Sequence, residues 1–264
     1  MSGLLLNAAI CVAIALSAFA FAWTLHKQDP KGKSVPSLKA LIVFWVLVAL
    51  SFLIIGARVI AAIYGNINAD VLCYYLASIP LSFLPVPLVF FIVYAVTGDR
   101  KSSWVMAILF SMFGAVYLWF LFRSELTPPT VTYWATIIMI TSDIAITIYL
   151  SALFIVPTAM MIALLGLILA RKIPKRERYR IALTLVAISL VFDFILVDAL
   201  AIDCVMQVVS RIFILISVVL AFLAYHPPDA VQDRLKLREI HGDAFDDSED
   251  SDTSDISDTE VADE

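Results

Sequence analysis

Long apolar runs separated by short polar turns occupy the sequence from residue 3 to residue 225. Each run reaches about 20 residues, the length that an α-helix needs to cross the hydrocarbon core of a bilayer. The first run has neither a basic leader nor a convincing cleavage site, so we expect a retained span, with an uncharged removable leader as the alternative. The pattern predicts an all-α membrane protein with spans at residues 3–25, 38–64, 70–96, 103–122, 143–170, 180–201 and 204–225.

The segment between residues 123 and 171 decides the number of spans. It contains no Lys or Arg and is too long for one helix. One interpretation is two short helices with a turn near Asp143 or Ser151. The other is a loop at residues 124–142, partly buried against the bundle and followed by a single helix.

The distribution of basic residues favours the single helix, because cytoplasmic loops carry an excess of Lys and Arg. With seven spans, the base-rich segments all fall on one side of the membrane: residues 26–39, 99–101, 171–180 and 234–238. The loops on the other side carry Arg123 as their only base. The sequence therefore predicts a seven-transmembrane-helix bundle with the N-terminus outside and the C-terminus cytoplasmic.

Composition agrees with a membrane protein, since 62% of residues are hydrophobic and the mean hydropathy is +0.95. The net charge of -5 conceals an asymmetry: residues 243–264 contain eight Asp, three Glu and no base, which leaves +6 on the remainder. We predict a juxtamembrane segment at residues 229–242 and a disordered acidic tail at 243–264. In the tail, Ser257 precedes Glu260 by three positions, a spacing that suits an acid-directed kinase. The tail is interpreted either as a docking site for a cytoplasmic protein or as a solvated appendage.

Polar residues inside the predicted helices form the candidate site, because charges are costly in lipid and usually face a bundle interior. Counting 1.5 Å per residue from the turn at Asp203 places Asp193 and Arg211 roughly 15 and 12 Å below it. The same count matches Asp198 with Gln207. Together with outer-half residues of the second and third helices, the predicted pocket consists of Arg58, Tyr74, Tyr75, Asp193, Asp198, Gln207 and Arg211.

This pocket has three interpretations. It binds a small polar or zwitterionic ligand in a receptor- or sensor-like protein, which is the function we expect. Alternatively, the same charges serve a transporter or channel. In the third interpretation the protein is a membrane scaffold, in which Asp193 pairs with Arg211 and Asp198 with Arg58 to fix the helix register.

Three prolines in the third helix, Pro80, Pro85 and Pro87, remove backbone donors close to mid-bilayer. They predict a kink or local unwinding. The break is either a hinge that couples the pocket to the inner face or a feature of packing alone.

Motifs of catalysis or cofactor binding are not found in the sequence. His26, His226 and His241 lie at or beyond the predicted membrane edges, and the three cysteines lack metal-ligand spacing. No nucleophile elbow, zinc-protease motif or phosphate-binding loop occurs. We therefore expect no enzyme, no metal and no nucleic-acid partner. The lipid bilayer is the expected surrounding, in the plasma membrane or, as the alternative, an endomembrane.

The seven-helix plan with an outside N-terminus resembles that of rhodopsins and G-protein-coupled receptors. A retinal protein needs a lysine in its last helix, and none lies between Cys204 and Tyr225, so covalent retinal is not expected. The third helix ends in Tyr94-Ala95-Val96-Thr97-Gly98-Asp99-Arg100 rather than the acidic-Arg-aromatic triplet of the receptors, and the last helix lacks their Asn-Pro motif. The resemblance is in plan only.

Overall fold

The computed structural model describes residues 2–27, 36–138, 144–170, 175–201, 203–226 and 228, with the backbone alone for residues 175–177. The predicted juxtamembrane segment and acidic tail, including Ser257, lie outside the described residues. The helices run as follows: α1 Ser2–Lys27, α2 Pro36–Ile63, α3 Ile67–Phe83, α4 Pro85–Thr97, α5 Arg100–Arg123, α6 Ile144–Ala170, α7 Lys175–Leu200 and α8 Cys204–Tyr225.

Seven helical segments in the described part of the chain are long and apolar enough to cross a membrane, with α3 and α4 together forming one of them. The nearly all-helical class and the number of helical segments that could span a membrane thus agree with the prediction. The largest difference from the predicted bounds is at α7, which begins at Lys175 rather than Arg180. The apolar run marks only the part of a helix that suits lipid, whereas Lys, Arg and Glu are good helix formers and extend α7 beyond it.

Consecutive spans are neighbours in space, and α8 packs against α1, which closes the bundle into a ring. The turn from α2 to α3 uses Gly65 at a φ of 68°, a conformation that favours glycine, and the side chain of Asn66 caps α3 by accepting from the amide of Ala69. This turn, the α7–α8 turn and residues 124–138 share one end of the bundle, called here the hairpin end. The opposite end, where α1, α4, α6 and α8 finish, is called the basic end.

A short antiparallel hairpin lies between α5 and α6. Its strands are β1 Thr130–Val131 and β2 Thr136–Ile137, with Thr130 opposite Ile137. Within the turn, the Thr132 hydroxyl donates to the carbonyl oxygen of Ala135 at 2.7 Å. The single helix α6 agrees with the loop-plus-helix interpretation of this segment, and the strands follow from its β-branched residues. Both residues of β2 are buried.

Aromatic side chains fill the middle of the bundle. Phe44 and Phe192 stack with ring centroids 5.8 Å apart, and Phe154 lies 5.2 Å from Phe192. Phe21 and Phe44 each meet Trp45 edge to face, at 5.1 and 5.0 Å. These five fully buried rings from α1, α2, α6 and α7 are called here the aromatic layer. Each such pair adds about 0.5–1.5 kcal/mol beyond the burial of apolar area.

The predicted break in the third span lies at Leu84, between α3 and α4. Pro85 occupies the first position of α4, where a missing N–H costs least. Leu84 keeps helical dihedrals and donates to the carbonyl oxygen of Leu81 at 3.3 Å. The Ser82 hydroxyl donates to the Ile79 carbonyl oxygen at 2.8 Å. The chain therefore passes the prolines without leaving the helical region, and a hinge at Pro80, Pro85 and Pro87 stays a prediction.

Gly114 allows α5 to lie directly against this junction. A Cβ atom at Gly114 would lie 2.7 Å from the carbonyl oxygen of Ser82, which is closer than real Cβ atoms approach backbone. Neither backbone can move without disturbing its helix. The absence of a side chain at Gly114 is thus a requirement of the packing.

We expect Gly114→Ala to lower the stability of the bundle by about 1–3 kcal/mol, the usual range for overpacking. Gly166→Ala in α6 is the matched control, since nothing lies within 4 Å of its Cβ position. The control should be neutral or gain up to about 1 kcal/mol of helix propensity. Thermal unfolding in lipid nanodiscs measures both, and equal stability of the two variants would contradict the close approach.

Candidate functional site

A buried arginine in α2 begins the first polar network at the hairpin end. Arg58 is 7% exposed, and its Nε donates a 2.7 Å hydrogen bond to Oδ1 of Asp70 in α3. Its Nη2 donates to the carbonyl oxygen of Thr136 in β2 at 2.9 Å. The Thr136 hydroxyl donates to the other carboxylate oxygen of Asp70 at 2.6 Å, and the ring of Tyr74 lies 5.2 Å from the guanidinium. This Arg58 network joins α2, α3 and the hairpin.

A second buried arginine joins α8, α7 and α1. Arg211 is 3% exposed and holds the Asp198 carboxylate with two donors, Nε at 3.0 Å and Nη2 at 3.3 Å. Its Nη1 donates to Oδ1 of Asn7 at 2.8 Å and lies 3.6 Å from the sulfur of Cys11. The Ser210 hydroxyl lies 3.4 Å from the same carboxylate. This is called the Arg211 network.

The hairpin is held from both sides. Asn7 of the Arg211 network donates from Nδ2 to the carbonyl oxygen of Trp134 at 2.8 Å. The hydroxyl groups of Ser2 and Tyr133 are hydrogen-bonded. Gly3 lies so close that a Cβ atom there would be 2.5 Å from the Tyr133 carbonyl oxygen. Both networks therefore end on the hairpin, which lies over the bundle as a cover.

A cavity of about 420 Å³ lies beneath the hairpin. Arg58 lines one part of its wall, Asp198 and Arg211 line another, and Ile137 of the hairpin also borders it. Gln207 is 7% exposed and lines the cavity as well, yet its Oε1 has no hydrogen-bond partner among the described residues. A buried carbonyl oxygen without a donor costs about 1–3 kcal/mol, so this atom is a position at which a ligand donor would be stabilising.

Five of the seven predicted pocket residues line this cavity, and two do not. Those on its wall are Arg58, Tyr74, Asp198, Gln207 and Arg211. Tyr75 instead packs against the ring of Phe122, with centroids 5.4 Å apart, and Asp193 is exposed on the surface of the bundle.

Both ion pairs of the scaffold interpretation are wrong. Arg211 pairs with Asp198 rather than with Asp193, and Arg58 pairs with Asp70 rather than with Asp198. Depth along a helix does not specify the direction in which a side chain points around the helix axis. Asp193 and Asp198 are separated by about 140° around α7, so only one of them can face Arg211.

Sequence reasoning also missed Asp70, although the depth count could have found it. Arg58 lies five residues before the end of α2 and Asp70 three residues after the start of α3, roughly 8 and 5 Å from their common turn. Asp203, used as the reference depth for the other turn, caps α8 by accepting from the amide of Val205. Asn7 is an amide inside the first apolar run, so the search for polar residues within helices could also have found it. Thr136 had no such signal, since its contribution depends on where the hairpin lies.

No model of a known protein family matches the chain, and no curated protein sequence matches it. Among the described residues, no three His, Cys, Asp or Glu side chains are grouped as a metal site would require.

A double-mutant cycle tests the pairing in the Arg211 network. Arg211→Met and Asp198→Leu should each destabilise the bundle by about 3–5 kcal/mol, because each leaves a buried charge without its partner. The double variant should recover at least about 1 kcal/mol of the summed loss. Arg211→Met with Asp193→Leu is the matched control and should be additive within about 0.5 kcal/mol. Coupling to Asp193 instead of Asp198 in thermal unfolding would overturn the assignment.

Hydrogen exchange tests whether the hairpin packs against the start of α1. Gly3→Val should speed amide exchange in residues 130–137 by about tenfold or more, because overpacking against the Tyr133 carbonyl costs about 1–3 kcal/mol. Leu5→Val, an exposed position in the same turn of α1, should leave exchange unchanged. Unaltered protection of the hairpin in Gly3→Val would mean that α1 does not hold it.

Proposed function

We propose that this chain is a multi-pass, receptor- or sensor-like membrane protein that binds a small ligand in the cavity beneath the hairpin. The observation that carries the proposal is the buried Oε1 of Gln207 on the wall of this cavity, to which none of the described residues donates. A volume of about 420 Å³ is in the range of small-molecule sites. Such sites are mostly apolar with a few converging polar groups, as this one is.

The charges of the cavity wall narrow the class of ligand. Arg58 and Arg211 are each paired with a carboxylate and donate to further oxygens, so neither needs an anion from the ligand. An ionic or zwitterionic ligand would have to displace these bonds. We therefore propose a neutral ligand with an apolar body and one hydroxyl or amide donor directed at Gln207.

We further propose that the hairpin end faces outward and the basic end faces the cytoplasm. The segments joining spans at the basic end hold the Lys and Arg clusters of the sequence, which the positive-inside rule assigns to the cytoplasm. In this orientation the N-terminus is outside and ligand reaches the cavity from the outer side, with the plasma membrane as the proposed location and an endomembrane as the alternative.

The route of coupling that we propose runs through the α3–α4 junction. Ser78, Leu81 and Ser82 line the cavity within the last six residues of α3, immediately before the junction at Leu84. A ligand touching them would bias the junction, and α4 continues from there to the basic end. A separate cytoplasmic protein would carry the output, with the acidic tail at residues 243–264 as its proposed docking segment.

The transporter or channel alternative uses the same cavity and charges. A substrate would then have to pass the aromatic layer, whose fully buried rings lie in contact across α1, α2, α6 and α7. Binding without passage needs no such opening, which is why we favour a receptor or sensor. In the scaffold alternative the two networks stabilise the bundle and the cavity has no ligand.

A set of matched probes tests the ligand class by thermal shift of the protein in nanodiscs. Benzyl alcohol and benzamide should raise the melting temperature more than benzoate, benzylammonium or the donor-free benzyl methyl ether. Gln207→Leu should weaken the effect of the neutral donors by about tenfold in apparent affinity, the value of one hydrogen bond. Asp193→Asn, outside the cavity, should respond as the unmodified protein does.

The alternatives give different results in the same preparation. Saturable flux of a stabilising probe into protein-containing liposomes would contradict the receptor proposal in favour of a transporter. No shift with any probe would favour the scaffold. If the neutral donors shifted the melting temperature of Gln207→Leu as much as that of the unmodified protein, the Gln207 carbonyl oxygen would not be part of the binding site.

A further inference from the structure

A second cavity, of about 530 Å³, lies at the basic end and shares no lining residue with the cavity beneath the hairpin. Its wall is largely apolar and is built from α2, α4, α6, α7 and α8. Representative residues are Leu41, Phe91, Leu164, Ile168, Ile181 and Leu185. The proposed function does not use this space.

The few polar groups of this cavity include one cation. Arg180 of α7 lines it together with Ser37, Thr184 and Tyr225. The guanidinium carbon lies 5.6 Å from the centre of the Tyr225 ring, and the Thr184 hydroxyl donates to the Arg180 backbone carbonyl at 2.7 Å. Within the part of the chain that the structure describes, no carboxylate pairs with Arg180, and its side chain is exposed.

The surrounding sequence makes this the most basic part of the chain. Residues 171–180 contain six Lys or Arg and one Glu. Basic clusters next to membrane helices attract anionic lipids at about 1 kcal/mol per Lys or Arg, and basic pockets between helices bind their head groups. The charge therefore complements an anion, while the apolar wall complements a hydrocarbon chain.

We propose that this cavity binds an anionic phospholipid from the surrounding leaflet. One acyl chain occupies the apolar part, and the phosphate binds Arg180 with the Ser37 hydroxyl beside it. A neutral lipid would leave the cation without an anion, and a soluble anion would leave the apolar wall unfilled. A free fatty acid has the same two chemical features and is distinguished by experiment.

Native mass spectrometry of the full chain, reconstituted with mixed phosphatidylcholine and phosphatidylglycerol and then released into detergent, measures lipid retention. The unmodified protein should retain phosphatidylglycerol in preference to phosphatidylcholine. Arg180→Gln should reduce that preference by about tenfold or more, as loss of a charge-assisted bond to phosphate would. Arg100→Gln, which removes a positive charge from the same end but does not line the cavity, should keep it.

A second variant separates the cavity from surface charge. Ala95→Trp keeps every charge and fills the cavity from its rim, so it should also lose phosphatidylglycerol. Undiminished preference in Arg180→Gln, or an equal loss in Arg100→Gln, would overturn the proposal. Retention of added oleate but not of phosphatidylglycerol would also overturn it, because the occupant would then be a free fatty acid. Thermal unfolding of each variant confirms that it is folded.

Discussion

Two guanidinium groups buried in an apolar bundle set the arrangement of its hairpin end. Removing an arginine from water costs several kcal/mol unless its donors are paired, so the helices around it must supply oxygens in fixed positions. Arg211 obtains them from α7 and α1, and Arg58 from α3 and the hairpin. The rotation of these helices about their axes follows from that requirement. The position of the hairpin follows from the same requirement, because it contributes backbone carbonyls to both networks.

The cavity results from a difference in packing between the apolar middle of the bundle and its polar hairpin end. At mid-bundle, aromatic rings interdigitate and leave the aromatic layer closed. At the hairpin end, side chains are committed to ion pairs across helix boundaries and do not fill the space between the networks. Gln207 is left there with a carbonyl oxygen that accepts from none of the residues that the structure describes. A wall whose charges are already balanced suits a neutral ligand, and this separates the proposed site from one that recruits ions.

Hydrophobic runs and the distribution of bases were enough to predict the spans, because bilayer thickness fixes helix length. Polar residues within those runs included five that line the cavity, but the same criterion also selected Tyr75 and the exposed Asp193, which do not. The pairs were not predictable from depth alone: Asp193 matches Arg211 in depth and points elsewhere. Thr136 had no periodic signal, because its role depends on how a non-helical segment returns over the bundle. Asn7 is polar within the first apolar run, yet its depth alone does not show that it meets Arg211. Counting residues from the α2–α3 turn would have matched Asp70 with Arg58 in depth. Asp70 was missed because it lies in the first turn of its helix.

The arrangement of the hairpin end depends most directly on the pairing of Arg211 with Asp198. Solid-state NMR of the protein in lipid bilayers, with nitrogen-labelled arginine and carboxyl-labelled aspartate, measures dipolar coupling between guanidinium nitrogens and carboxyl carbons. We expect strong coupling for the Arg211–Asp198 and Arg58–Asp70 pairs, with the first signal lost in Asp198→Asn and kept in Asp193→Asn. Coupling of Arg211 to Asp193, or no coupling of Arg211 to any carboxylate, would contradict the Arg211–Asp198 pair.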